Sequence, residues 1–366
     1  MSIDAFDPLS PPEVSAQAVY SIDTAADVVL YQKNADDPLQ PASTTKIATA
    51  LVVLERVSDL NELIEITGAE MVDQENESSM GVEVGEIWTV EDLLYGLMIP
   101  SGNDAALALA RHVGEQIDAG DPVGAFVGEM NLFAASMGLQ HTHFTNPVGL
   151  ADDPNHHTSA RDLATLAARL MEYDLIREIV RQKSSTVTSD GSEPRELKLI
   201  STNALLGRFE VHGLKTGSTG VAGGCLVIAS WGGGTNRVIT VILGSAIDYS
   251  SRNSETGELA VDERWADMET VLGAMTEDYR WVAPAEPDQV PGLQDELSAW
   301  QVELGEPTAI VLPANGGEIA YQLQLGPPSE PNSQVGRVLF FVGSEQVAEQ
   351  PVFQTAVAQS ADPDEG

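Results

Sequence analysis

Three short groups of residues in this chain have the types and spacings that nucleophilic chemistry needs. The first is Ser43-Thr-Thr-Lys46. The chain has only five lysines, and no other has a serine three positions before it. Residues three apart share one helix face, so hydroxyl and amine can meet. A serine hydroxyl attacks well only when a base takes its proton. A lysine can be that base once its pKa is lowered, and burial or a second cation lowers it. A helix N-terminus also disfavours an ammonium. Its backbone N–H groups, Ser43's own among them, can receive a developing oxyanion. The plain alternative is an ordinary helix start, since serine is a common N-cap.

The second group is Ser101-Gly-Asn103, just after Pro100. A loop between two helices can aim a hydroxyl and an amide at a pocket. It can equally be an N-cap for the helix that follows. Ser-x-Asn also occurs at 201–203 and 251–253, so the tripeptide is weak by itself. The third is Lys215-Thr216-Gly217, at the end of a strand run. Lysine supplies a second cation, and its ammonium with the threonine hydroxyl suits a carboxylate. Glycine lets a ligand approach the strand backbone. A strand-to-turn transition would use the same residues.

The elements that must hold these groups are legible in the pattern. Strand-like runs at 16–22 and 28–31 flank Asp23-Thr-Ala-Ala-Asp27, a hairpin signal. Apolar residues at helical spacing fill 46–56, 90–98, 104–114 and 162–173, the last with Thr158 or Ser159 at its start. Strand runs at 211–215, 224–231 and 238–244 follow, the last two joined by Gly232-Gly-Gly-Thr-Asn. A closing helix is expected at 259–275. Strands and helices are segregated rather than alternating, which predicts an α+β fold with an antiparallel sheet. At 366 residues the chain exceeds a single core, so two domains are expected. Pro284, Pro287 and Pro291 mark the junction. We expect a lead-in at 1–11, a first domain at 12–280, a linker at 281–285, a small β-rich domain at 286–358 and an acidic tail at 359–366.

Composition bounds the function. Fifty-six acidic against 18 basic residues give a formal charge of −38. That field repels nucleic acid and anionic membrane surfaces. It fits either a salt-adapted protein or simple solubility. No apolar run approaches the ~20 residues of a membrane helix. The single cysteine, Cys225, sits in a strand-like run and reads as a buried small hydrophobe, not a catalytic thiol. The first thirty residues show no signal-peptide pattern.

Taken in order, Ser-x-x-Lys, Ser-x-Asn and Lys-Thr-Gly form a set related to those of β-lactamases and penicillin-binding proteins. The sequence resembles the low-molecular-mass penicillin-binding proteins, the serine D-alanyl-D-alanine carboxypeptidases. Besides the segments around Ser43, Ser101 and Lys215, Phe144-Thr-Asn-Pro-Val-Gly-Leu and Ser159-Ala-Arg-Asp-Leu-Ala look like family signatures. Val335-Gly-Arg-Val and Gln350-Pro-Val are the most similar stretches of the second domain. The resemblance implies a transpeptidase-like five-stranded antiparallel sheet flanked by helices, an all-helical subdomain and a small all-β C-terminal domain. It implies that Ser43 attacks the carbonyl between two terminal D-alanines with Lys46 as base. Ser101 would relay a proton to the leaving amine, and Asn103 would orient Lys46 and the peptide. Lys215 and Thr216 would hold the terminal carboxylate beside Gly217, and the N–H groups of Ser43 and Ser218 would form the oxyanion hole. The expected partners are peptidoglycan stem peptides and, as covalent inhibitors, β-lactams, with no metal or organic cofactor required. The substrate lies outside the cytoplasm, so a mature form lacking its leader is expected. Family members are commonly anchored by a C-terminal amphipathic helix, whereas residues 353–366 here are short and acidic.

Three rival readings accompany this one. His141, His143, His156 and His157, with Asp152 and Asp153, could ligate zinc. A β-lactamase would need an acid to activate water, for which Asp153 or Glu172 are the candidates. A non-catalytic peptidoglycan-binding protein would not need both lysines.

Overall fold

Strand β1 (Ala18–Asp23) sends Ala18 and Tyr20 to one face and Val19 to the other, and both faces are buried. The computed structural model describes residues 7–150, 153–232, 236–251, 259–286, 288–305, 308–327 and 330–355. Asp152, the centre of the turn after Gly232 and the acidic tail lie outside these residues. The Asp23 carboxylate accepts from the N–H groups of Ala25 and Ala26 and shapes the turn into β2 (Val28–Lys33).

A 3-10 turn over Ala42–Thr45 then enters α1 (Lys46–Arg56). The short strands β3 (Leu63–Glu65) and β4 (Ile87–Thr89) pair with each other. Next come α2 (Val90–Met98), α3 (Asn103–Glu115), α4 (Pro122–Ser136), α5 (Ala160–Leu170) and α6 (Asp174–Val180). Thr89 caps α2 and Ser159 caps α5, each accepting an N–H from the third residue on. A second small pair, β5 (Ser184–Thr188) with β6 (Glu196–Ile200), precedes β7 (Val211–Thr219), β8 (Gly223–Gly232) and β9 (Asn236–Ser245). Helix α7 (Arg264–Asp278) ends the first part of the chain.

The main sheet is antiparallel, in the order β2-β1-β9-β8-β7, which leaves β7 at an edge. Odd residues of β9 from Ile239 to Leu243 face the cluster that includes α1, α3 and α5. Val238 and Ile242 face the cluster built with α7. This is the expected five-stranded antiparallel sheet with helices on both sides. Cys225 is buried on β8, and burial pushes its thiol up to about 11.

Beyond α7 come β10 (Tyr279–Val282), α8 (Leu293–Ala299), β11 (Val302–Leu304), β12 (Ile310–Pro313), β13 (Ile319–Leu325), β14 (Gln334–Val342) and β15 (Glu345–Gln354). Four of them form a sheet in the order β11-β15-β14-β13, and β10 pairs with β12. A separate apolar cluster around Val338, Phe340 and Leu293 fills this part. The C-terminal domain is thus β-rich as expected, with the two-turn helix α8 added.

Within the expected linker at 281–285, Trp281 and Val282 belong to β10 and pair with Val311 and Ile310. One expectation needs correction. The closing helix begins at Arg264, not 259, and runs on to Asp278.

Candidate active site

Ser43 lies in the 3-10 turn and Lys46 begins α1, so the two side chains rise on one face one turn apart. Lys46 Nζ is 3.1 Å from Ser43 Oγ. It also donates to Asn103 Oδ1 at 2.6 Å and to the Val148 carbonyl at 2.8 Å. Lys46 is fully buried while Ser43 is partly exposed, so the hydroxyl is reachable and the amine is not. No side-chain cap bond is made at the start of this turn or of α1, so Ser43 is not an N-cap.

Asn103 is the first residue of α3, and Ser101 precedes it with a left-handed backbone, φ 68°. That conformation is uncommon outside glycine and costs energy. Ser101 Oγ is buried and makes no hydrogen bond among the described residues. Gly102, at the N-cap position, offers no side chain. The capping explanation for Ser101-Gly-Asn103 therefore fails too.

Lys215, Thr216 and Gly217 sit inside β7, which continues to Thr219, rather than at a strand end. A Cβ on Gly217 would stand 2.8 Å from Ser43 N and 2.9 Å from Thr44 N, so only glycine lets the edge strand lie against the Ser43 turn. Lys215 is buried, and its amine donates to the Thr216 carbonyl at 2.9 Å. Ser218 follows on the strand, half-exposed.

Both amines are pushed down. Burial brings Lys46 to about 7, against the pull of the Asp104 and Glu77 carboxylates, which raise it. Burial lowers Lys215, and the nearby charges of Lys46 and Arg264 lower it further. A pair of buried cations side by side cannot both hold protons cheaply.

Sequence reasoning did not find four contributors. Arg264, at the start of α7, donates to the Gly217 carbonyl at 3.1 Å and pairs with Asp262 at 2.7 Å. Thr202 Oγ1 lies 2.6 Å from Thr216 Oγ1. Val148 acts through its backbone carbonyl, which no side-chain pattern reveals. Glu77 accepts from Asn103 Nδ2 at 2.8 Å. The Phe144–Leu150 signature could have pointed to Val148. There the Asn146 side chain accepts from the N–H groups of Val148 and Gly149 and so turns the carbonyl inward.

The histidine stretch forms no metal cluster among the described residues. His156 spends both ring nitrogens. Nδ1 accepts from Thr145 N at 3.0 Å, so Nε2 carries the proton and donates to Thr45 Oγ1 at 2.8 Å. Burial holds it neutral, down to about 4. His143 and His157 stack on each other, and Asp153 binds Asn155. Glu172 is exposed and paired with Arg169. Neither proposed water-activating acid bonds to a residue of the Ser43 constellation.

The model of the D-alanyl-D-alanine carboxypeptidase family matches residues 6–246. The chain belongs to this family. It is 36% identical to the D-alanyl-D-alanine carboxypeptidase of Streptomyces sp. strain K15, over 65% of this chain and 84% of that one. It is 30% identical to DacC of Escherichia coli over 93% of this chain and 84% of the relative. DacF of Bacillus subtilis matches at 32%, over 70% of this chain and 63% of its own. Among solved structures, the Streptomyces K15 DD-transpeptidase superposes with a TM-score of 0.65 at 32% identity, covering 72% of this chain and 98% of that one. DacD of Francisella tularensis covers 96% of this chain and 95% of its own at a TM-score of 0.66 and 22% identity, which extends the shared fold into the C-terminal domain. The family and fold read from the three motifs therefore stand. Among the described residues, no helix is long and apolar enough to cross a membrane.

Proposed function

We propose that this chain is a serine D-alanyl-D-alanine carboxypeptidase that works through an acyl-enzyme on Ser43. The observation that carries the site assignment is the set of acceptors around Lys46 Nζ. A neutral amine has two N–H groups and one lone pair. Asn103 Oδ1 and the Val148 carbonyl can only accept, so they take the two N–H groups. The lone pair is left for the hydroxyl proton of Ser43, 3.1 Å away.

Ser43 Oγ attacks the carbonyl between the last two D-alanines as Lys46 takes its proton. The N–H groups of Ser43 and Ser218 receive the oxyanion. The C–N bond then breaks, and a proton reaches the leaving amine through Ser101, whose hydroxyl has no other partner among the described residues. D-alanine departs, and water hydrolyses the Ser43 ester.

The terminal carboxylate of the substrate docks at Lys215 and Thr216. Its charge stabilises the ammonium form of Lys215. Two adjacent buried ammonium ions are disfavoured, so the same event favours the neutral form of Lys46. Substrate binding thereby arms the base. Arg264, which donates to the Gly217 carbonyl, adds a further positive charge near Lys215. Peptidoglycan stem peptides ending in two D-alanines are the substrate, which sets the place of action outside the cytoplasm. β-Lactams acylate Ser43 and leave slowly.

A fluorescent penicillin is expected to label the wild type and not Ser43→Ala. Labelling of Ser43→Ala would remove Ser43 from the nucleophile role. Mass spectrometry of a muropeptide ending in two D-alanines should show the loss of one alanine.

A further inference from the structure

The loop between β3 and β4 brings a carboxylate to the catalytic amide. Asp104 anchors this loop, accepting from the N–H groups of Met80 and Gly81 at 2.9 Å each and from Ser79 Oγ at 2.5 Å. The Asn103 N–H donates to the Ser78 carbonyl at 2.8 Å, and Arg195 holds the Gly81 carbonyl at 2.7 Å. Glu77 is thus carried on a pinned segment, and its Oε2 lies 2.8 Å from Asn103 Nδ2.

A carboxylate only accepts, and an amide has one donating and one accepting end. Glu77 therefore decides which way the Asn103 amide faces. With Nδ2 held by Glu77, Oδ1 must point at Lys46 Nζ, 2.6 Å away. Without Glu77 the amide can turn over and present N–H groups to the amine, which would compete for its lone pair.

We propose that Glu77 is a positioning residue: it orients the Asn103 amide so that Oδ1 faces Lys46 Nζ. This rests on the reading of Lys46 as the base. The charged groups around Lys46 are Glu77 on the loop, Asp104 on α3 and Lys215 on β7, with Arg264 of α7 near Lys215. Asp104 is committed to the loop N–H groups, so Glu77 is the anion tied directly to the amide. Glu77 raises the Lys46 pKa and opposes burial. Removing its charge must move deprotonation of Lys46 to lower pH.

The test is the pH profile of Ser43 acylation by a fluorescent penicillin, and of D-alanine release from a peptide ending in two D-alanines. Glu77→Gln removes the charge but keeps an acceptor for Nδ2; Glu77→Ala removes both. In each, the acid limb should move to lower pH by on the order of one unit. Glu77→Ala should also lower the plateau rate by about tenfold, and Glu77→Gln by less. The limb position does not depend on the fraction of molecules folded, so a poorly folding Glu77→Ala leaves Glu77→Gln to decide. A limb that stays in place, or moves to higher pH, in a wild type and variants that are all labelled would overturn the role of Glu77 alone. A wild type that penicillin does not label would overturn the serine-hydrolase reading and this role with it.

Discussion

Lys46 is the residue on which rate and pH meet. Burial brings its pKa to about 7. In the proposed mechanism its neutral form is the active one, so acylation should rise with pH through about 7 and fall about tenfold per unit well below it. A stopped-flow or gel-based acylation profile between pH 5 and 9 checks the sign (buffer points chosen by the experimenter, about one unit apart or finer). A flat profile across neutrality would mean that another group takes the Ser43 proton. Ser43, Lys46, Asn103 and Lys215 were legible as candidates because the chemistry proposed for them rests on their side chains and their spacing is local or motif-bound. Val148 and Thr202 were not. The first acts through its main chain, and the second through a contact between Thr202 and Thr216 that folding alone creates. Glu77 was lost among 56 acidic residues, since nothing in its neighbours sets it apart.

At the level of elements, the site is a junction of four backbones that approach one another closely. Gly149 has φ +86°, and a Cβ there would lie 1.9 Å from the Ala42 carbonyl oxygen. Gly149→Ala should push the 144–150 loop away from the Ser43 turn and withdraw the Val148 carbonyl from Lys46. We expect penicillin acylation to fall at least a hundredfold, with a lower Tm, because backbone strain and lost placement act together. Acylation within a few-fold of wild type would show that the loop can move without consequence. The glycine was visible in the sequence as part of a signature; its reason was not. Helices α1, α2, α3 and α5 were readable because each presents a broad apolar face. Helix α4 buries only Phe126, Met130 and Ala134, while Leu132 is exposed and Gly124 and Gly128 weaken the helical signal. The 3-residue strands β3 and β4 are too short to show alternation. Strand β7 was read as ending at Lys215 because Gly217, Ser218 and Thr219 look like a turn; its ladder with β8 carries it on to Thr219 paired with Gly223.

Over the whole molecule, charge is the dominant feature. A net −38 repels itself, and screening relieves that repulsion. Between about 0.01 M and about 1 M salt the Debye length falls from about 30 Å to about 3 Å. Tm should therefore rise with NaCl across this range; a flat or falling Tm in calorimetry would show that local ion pairs outweigh the general repulsion. The division proposed here, a catalytic unit over 12–280 and a β-rich unit over 286–358, was signalled by prolines. The two parts are nonetheless joined by packing. Val311 of β12 belongs to the α7 side of the main-sheet core, and Trp281 donates from Nε1 to Asp23 Oδ2 at 2.7 Å. By itself the sequence determined the family and the α+β class and singled out Ser43 and both lysines as the candidate site, because those follow from residue type and short-range spacing. Only the tertiary structure decided what surrounds the amines: the Val148 carbonyl, the Asn103 amide held by Glu77, and Arg264 near Lys215. Protonation and reactivity depend on burial and on charges brought near from distant positions, and neither can be read along a chain.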